Sequence, residues 1–202
     1  MMSATATMPA AAPKLMTINE FWEFSNAPSN QHKHFELVRG EVIELPSPTQ
    51  PHGRVCANAL FELESYARRM GTGYTIGNDA GVVLERDPDT VRVPDVSYFS
   101  GDESFRELNP KYSEAVPTLV VEVQSPSDRQ LKITRKIEMY LDSGVKVVWL
   151  INYEERFVSF HRLGKSPEVF ECGQTITLDE LPGFSCKVDD LFRMPKEIAK
   201  PA

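Results

Sequence analysis

Basic residues are in short supply: 22 lysines and arginines face 29 aspartates and glutamates, a net charge of −7. That balance excludes adhesion to nucleic acid through a uniformly basic surface, because phosphate neutralisation by Lys and Arg supplies most non-specific affinity. A clustered basic strip remains open, with Arg54, Arg68, Arg69, Arg129 and Lys132 as its candidates. Cysteine is scarcer still. Cys56, Cys172 and Cys186 cannot all pair within the chain and match no zinc spacing, so they read as free thiols in a reducing cytoplasm. No apolar run is long enough to cross a membrane, and none of the sequence repeats. A phosphate-cradling glycine loop and a cluster of sugar-stacking aromatics are also missing, which leaves little support for a nucleotide or sugar hydrolase.

The 202 residues, 41% of them hydrophobic, suit one domain with its own core. Residues 1–15 are rich in Ala, Thr and Pro and lack a basic start followed by a long apolar stretch, so they read as a disordered tail and not as a signal peptide. The expected division is a tail over 1–15, one domain over 16–195 and a second tail over 196–202. Thr17 and Glu20 form a capping-box pattern ahead of a short helix reaching Phe24. His34–Leu37 and Glu41–Leu45 flank Arg39-Gly40 and predict a hairpin. A helix is expected from about His52 to Met70, stopped by Gly71. Strands are expected near Tyr74–Ile76, Gly81–Glu85, Val93–Ser100, Leu119–Gln124, Val147–Ile151 and Arg156–Arg162, with further short strands in the C-terminal third. The polar stretch from Asp102 to Val116 reads as irregular. Helices on either side of a mixed central sheet, an α/β (α+β) arrangement, pack these elements most economically.

Acids placed among valines carry the chemistry. Alternation puts Leu119, Val121 and Val123 on one side of an extended segment and Val120, Glu122 and Gln124 on the other. A carboxylate in such a strand is costly unless a cation or hydrogen bonds compensate it. A magnesium ion would do so, since it favours carboxylate oxygens, and Asp95 in the VRVPDVSYFS run can supply a second ligand. The bland alternative is that Glu122 pairs with a buried Arg or Lys and that Pro94-Asp95 merely starts a strand. The helix predicted next has Ser127 and Asp128 as capping candidates and Gly144 as its stop. Ile133, Ile137, Tyr140 and Leu141 form its apolar stripe, and Lys136 stands at the margin, roughly 40° from Tyr140. His52, at the start of the first long helix, could orient water or contact phosphate, or simply cap the helix.

FELVRGEVIEL, His52 before a helix, VRVPDVSYFS, LVVEVQSPSD, Lys136, Tyr140 and GVKVVWLIN together resemble the PD-(D/E)XK nuclease superfamily, and within it the Uma-type family of restriction-endonuclease-like proteins. The resemblance runs from about Phe21 to Val188. It implies a restriction-endonuclease-like fold and hydrolysis of phosphodiester bonds in nucleic acid, with DNA the expected partner and magnesium, or manganese in its place, as cofactor. Asp95 and Glu122 would be the metal ligands, with the Val123 carbonyl beside them. The superfamily's usual third position, two residues after the acid, is lysine, and here it is Gln124; the resemblance assigns that part to the helix lysine Lys136. It also makes Glu41 the preferred third acid, with Glu36 second. Cutting both strands of a duplex makes a homodimer an expectation. The rival reading is a catalytically silent module of the same fold that binds nucleic acid or protein, for which the missing strand lysine and the acidic charge speak.

Overall fold

In a computed structural model, described over residues 15–125 and 129–195, the capping box at Thr17 forms as expected. The Thr17 hydroxyl accepts the Glu20 N–H, the Glu20 carboxylate accepts the Thr17 N–H, and helix α1 runs Ile18–Ser25. Its buried Ile18 and Phe21 pack on Phe35 and Leu37 of strand β1 (His34–Val38), which pairs with β2 (Glu41–Leu45). The hairpin turn places Arg39 and Gly40 at φ 50° and 79°, the left-handed geometry that matches the twist of a two-residue hairpin. A side chain at Gly40 would also meet Leu15, whose Cβ would lie 2.5 Å away.

Strands β4 (Val82–Glu85) and β5 (Thr90–Arg92) complete a four-stranded sheet in the order β2-β1-β5-β4. The strand expected over Val93–Ser100 is shorter, Val96–Phe99, and a separate strand, Thr90–Arg92, precedes it. Pro94 has no N–H to give a ladder, so β5 ends at Arg92 in the first sheet and β6 (Val96–Phe99) begins in a second. Asp95 occupies the bend between them.

The second sheet has six strands, ordered β10 (Glu168–Glu171), β9 (Phe157–His161), β8 (Val147–Asn152), β7 (Leu119–Gln124), β6 and β3 (Tyr74–Gly77). Strands β7 and β8 run parallel, joined through helix α3 (Gln130–Asp142), and the remaining pairs are antiparallel. Helix α2 (Gln50–Met70) covers one face. It starts two residues earlier than expected because Thr49 accepts the His52 N–H and Pro51 tolerates a first-turn position; Gly71, at φ 68°, ends it. Val55, Ala59, Leu63 and Tyr66 of α2 join Val96, Tyr98, Leu119, Val121, Val123 and Trp149 in the main core. The hairpin of β11 (Thr175–Thr177) and β12 (Ser185–Lys187) adds Ile176 and Cys186 to it. On the opposite face, Ile137, Tyr140 and Leu141 of α3 pack on Val120, Val148 and Leu150. Leu84 of β4 also packs there, and Arg92 of β5 reaches Met139 of α3 at 3.1 Å, so α3 lies between the two sheets.

The fold is thus mixed α+β, a central mixed sheet flanked by helices, as the sequence implied. Residues 102–116 contain one 3-10 turn, Phe105–Glu107. Ser127 and Asp128 lie outside the described residues, as do the expected tails apart from Leu15, and Arg129 is the residue preceding α3.

Candidate active site

Strand β7 has two unlike faces because its side chains alternate. Glu122 projects to the α3 side with a side chain 14% exposed. One carboxylate oxygen accepts the Tyr140 hydroxyl at 2.7 Å, and the other accepts the Lys136 ammonium at 2.7 Å. The donors sit four apart on α3, so one helix face delivers both. Lys136 also reaches Glu36 of β1 at 3.1 Å. Glu36 in turn accepts Arg92 at 2.5 Å and the Val93 N–H at 3.2 Å. The result is a buried chain of alternating charge, Arg92–Glu36–Lys136–Glu122, closed by Tyr140.

Asp95 stands at the edge of this chain. Val96 pairs with Val121 in the antiparallel ladder, so the next step along each strand is Asp95 and Glu122. One Asp95 oxygen accepts the Val123 N–H at 2.7 Å, which fixes the carboxylate beside the end of β7. The other faces Nε2 of His52 at 3.4 Å. Gln124, on the Glu122 face, accepts from Asn152 of β8 at 3.4 Å.

Electrostatics separate the acids. Burial drives the Glu122 carboxyl up to about 7, more than neighbouring Lys136 can reverse. Burial acts on Glu36 in the same sense, but Lys136 and Arg92 outweigh it and hold Glu36 below its ordinary range. Burial works against the Lys136 charge, yet Glu122 and Glu36 hold the ammonium protonated, far above the usual lysine value. Burial lowers His52, but Asp95, Glu122 and Asp79 together keep it raised. Asp79 is itself raised, by burial and by Asp95.

These shifts test the fit of a divalent cation. With all four ionised, the carboxylates of Glu36, Asp79, Asp95 and Glu122, linked through Asp95 and Glu122, exceed the neighbouring cations Arg92 and Lys136 by two charges before any histidine is protonated. Hard carboxylate oxygens with that excess suit magnesium or manganese.

The structure does not bring every expected residue to the site. Glu41 lies on the same hairpin face as Glu36, but it pairs with Val38 while Glu36 pairs with Ile43, and it stands exposed beyond the buried cluster. The buried third acid is Glu36. Arg92 and Asp79 belong to the cluster and were not anticipated. Arg92 had a visible signal, a charge between Val91 and Val93 of the kind that singled out Glu122. The proposed basic strip is not continuous. Arg68 and Arg69 sit at the far end of α2 from His52, with Arg68 paired to Glu64 and Arg69 reaching the Gly183 carbonyl; Arg54 donates to the Arg193 carbonyl. Arg129 and Lys132 are exposed at the start of α3.

The architecture is a mixed sheet flanked by helices, with Glu36, Asp95, Glu122 and Lys136 gathered around the end of one buried strand. The sequence profile of the Uma2 family, described as "Putative restriction endonuclease", matches residues 21–189, and the chain belongs to that family. Among solved structures, the chain is similar to a protein from Anabaena variabilis ATCC 29413 described as a "putative nuclease belonging to DUF820". The likeness has a TM-score of 0.71 at 24% identity and covers 88% of this chain and 97% of that one, which speaks for a shared fold. No curated protein matches the chain. No helix among the described residues is long and apolar enough to cross a membrane.

Proposed function

We propose that the chain is a magnesium-dependent endonuclease that hydrolyses phosphodiester bonds in DNA, with manganese as a working substitute. The observation that carries this reading is Glu122: an acid on a valine-rich strand, raised to about 7, bonded to Lys136 and Tyr140, and one ladder step from an Asp95 pinned by the Val123 N–H. Asp95 and Glu122 would hold the ion, with the Val123 carbonyl beside them. A bound divalent ion lowers the pKa of water and offsets charge on the phosphate.

The chain's own groups would do the rest. Lys136, held protonated by two carboxylates, is a donor and not a base, so its part is to steady the scissile phosphate or orient the attacking water. Glu36 and Arg92 fix the lysine from behind. Gln124, steadied by Asn152, offers an amide N–H to the same water without strong basicity. His52, whose Nε2 faces Asp95, would orient that carboxylate. A second copy of the chain would supply the cut in the other strand.

One observation favours the silent-module reading: the Lys136 ammonium already satisfies the Glu122 oxygen that an ion would take. Cleavage assays decide between the two. Purified protein is expected to nick plasmid or oligonucleotide DNA in magnesium or manganese and to stop on chelation. Absence of cleavage of single- and double-stranded DNA and RNA, together with no magnesium or manganese binding by calorimetry, would replace the nuclease with the silent module.

A further inference from the structure

Cys56 plays no part in the chemistry above, yet it lies against it. It stands four residues after His52 on α2, and its Sγ is 3.4 Å from Nδ1 of that histidine. Asp95 faces the opposite ring nitrogen at 3.4 Å. One donor atom from each of His52, Cys56 and Asp95 lies within 4.8 Å of the other two. We propose that these three side chains form a binding site for a borderline-soft transition-metal ion of the zinc or cobalt type, chemically distinct from the magnesium pair and sharing Asp95 with it.

Three features of the fold prepare this site. The Thr49 cap and the helical i,i+4 spacing set His52 and Cys56 on one face of α2. The Val123 N–H holds one Asp95 oxygen and so aims the other at His52. Cys56 is a free thiol, only part-buried, and the His52 and Asp95 side chains are 15% and 13% exposed, so an ion can reach all three. A single ion would take one ring nitrogen of His52 together with the Cys56 sulfur and one Asp95 oxygen, a set of donor atoms that lie within 4.8 Å of one another. Thiolate, imidazole and carboxylate together form a set that zinc and cobalt take readily, whereas magnesium avoids sulfur. Binding releases the Cys56 proton to solvent and uses His52 in its neutral form. Three protein ligands leave the fourth position to water or a substrate oxygen.

A rival use of the same residues is a Cys–His–Asp nucleophile. The surroundings oppose it: burial, then Asp95, Asp79 and Glu122, push the thiol far above its ordinary value, whereas a nucleophilic cysteine needs a positive neighbourhood. A cation reverses that field at once, because a coordinated thiol loses its proton. The inference stands independently of cleavage activity.

The test is a cobalt titration of the full chain without magnesium, read in the visible and near-ultraviolet. A thiolate-to-cobalt charge-transfer band should grow to one equivalent and disappear when zinc is added. It should persist in Cys172→Ser, which removes an exposed thiol, and vanish in Cys56→Ser. Calorimetry should show zinc affinity reduced at least about tenfold in Cys56→Ser and in His52→Gln. His52→Gln alone decides the matter if Cys56→Ser loses its circular-dichroism spectrum. A missing band, a band that survives in folded Cys56→Ser, or unchanged zinc affinity in His52→Gln would overturn the proposal.

Discussion

The two faces of strand β7 are built from adjacent residues and follow opposite rules. On the α2 side, Leu119, Val121 and Val123 are buried among Trp149, Ile151 and Phe160, in the main hydrophobic core. On the α3 side, Val120 still packs on Ile137 and Leu141, but Glu122 two residues on is surrounded by Lys136, Tyr140, Glu36 and Arg92. Apolar burial at about 25 cal/mol per Å² stabilises the first face directly. Buried charge on the second roughly breaks even against an apolar replacement, so its presence is not explained by stability. The contrast separates residues that hold the fold from residues that hold a chemical arrangement.

The largest effect should come from the apolar face. Trp149 is fully buried and stacked on Phe160 at 5.2 Å, so Trp149→Ala should cost about 4 kcal/mol in urea unfolding. A loss below about 1 kcal/mol would mean that this face is not the main core. Next is Lys136→Ala. A lysine at the margin of a helix stripe would be expendable, but here its removal takes a cation from both Glu36 and Glu122, leaving Glu36 with Arg92 and Glu122 with the neutral Tyr140, and about 2 kcal/mol should be lost. Adding Glu122→Gln should restore part of that loss, since the charge left without a cation is then gone; additive losses would deny the coupling.

A smaller effect lies in pH. In chelator, Glu122 keeps its proton up to about 7 in the folded chain and loses it near 4.5 when unfolded. Between those values the folded state binds more protons, so this group's contribution to stability declines as pH rises through the window and is flat above it. The wild-type chain should therefore lose ground to Glu122→Gln between pH 4.5 and 7 in denaturant titrations, and parallel curves would refute the raised acid. Glu41→Ala should change unfolding by less than about 0.5 kcal/mol and leave cleavage intact, because the residue is exposed on an edge strand. A lost activity there would return the third-acid role to Glu41.

Local patterns explain what could be read from the sequence. The capping box at Thr17, the Arg39-Gly40 turn and the alternation of β7 are set by neighbours within a few residues, and each formed where expected. Lys136 and Tyr140 were visible as a helix pair, and their meeting with Glu122 followed from the parallel β7–α3–β8 unit. Glu36 and Glu41 lie on one hairpin face, so the sequence alone does not separate them; the packing of α3 between the two sheets covers Glu36 and leaves Glu41 exposed. The same long-range packing hid Arg92, whose partner is 56 residues away. The spacing of Cys56 to the other cysteines carries no signal, because its neighbour is a histidine one helical turn before it.

One variant measured in two ways tests the contrast between the faces. Glu122→Gln keeps the shape of the side chain and removes its charge, and both its urea-unfolding free energy and its magnesium-dependent cleavage of plasmid DNA can be compared with wild type. The account predicts stability equal to or above wild type, with cleavage reduced at least about 100-fold. A variant that unfolds several kcal/mol more easily, yet cuts DNA at the wild-type rate, would show that Glu122 serves the fold and not the chemistry.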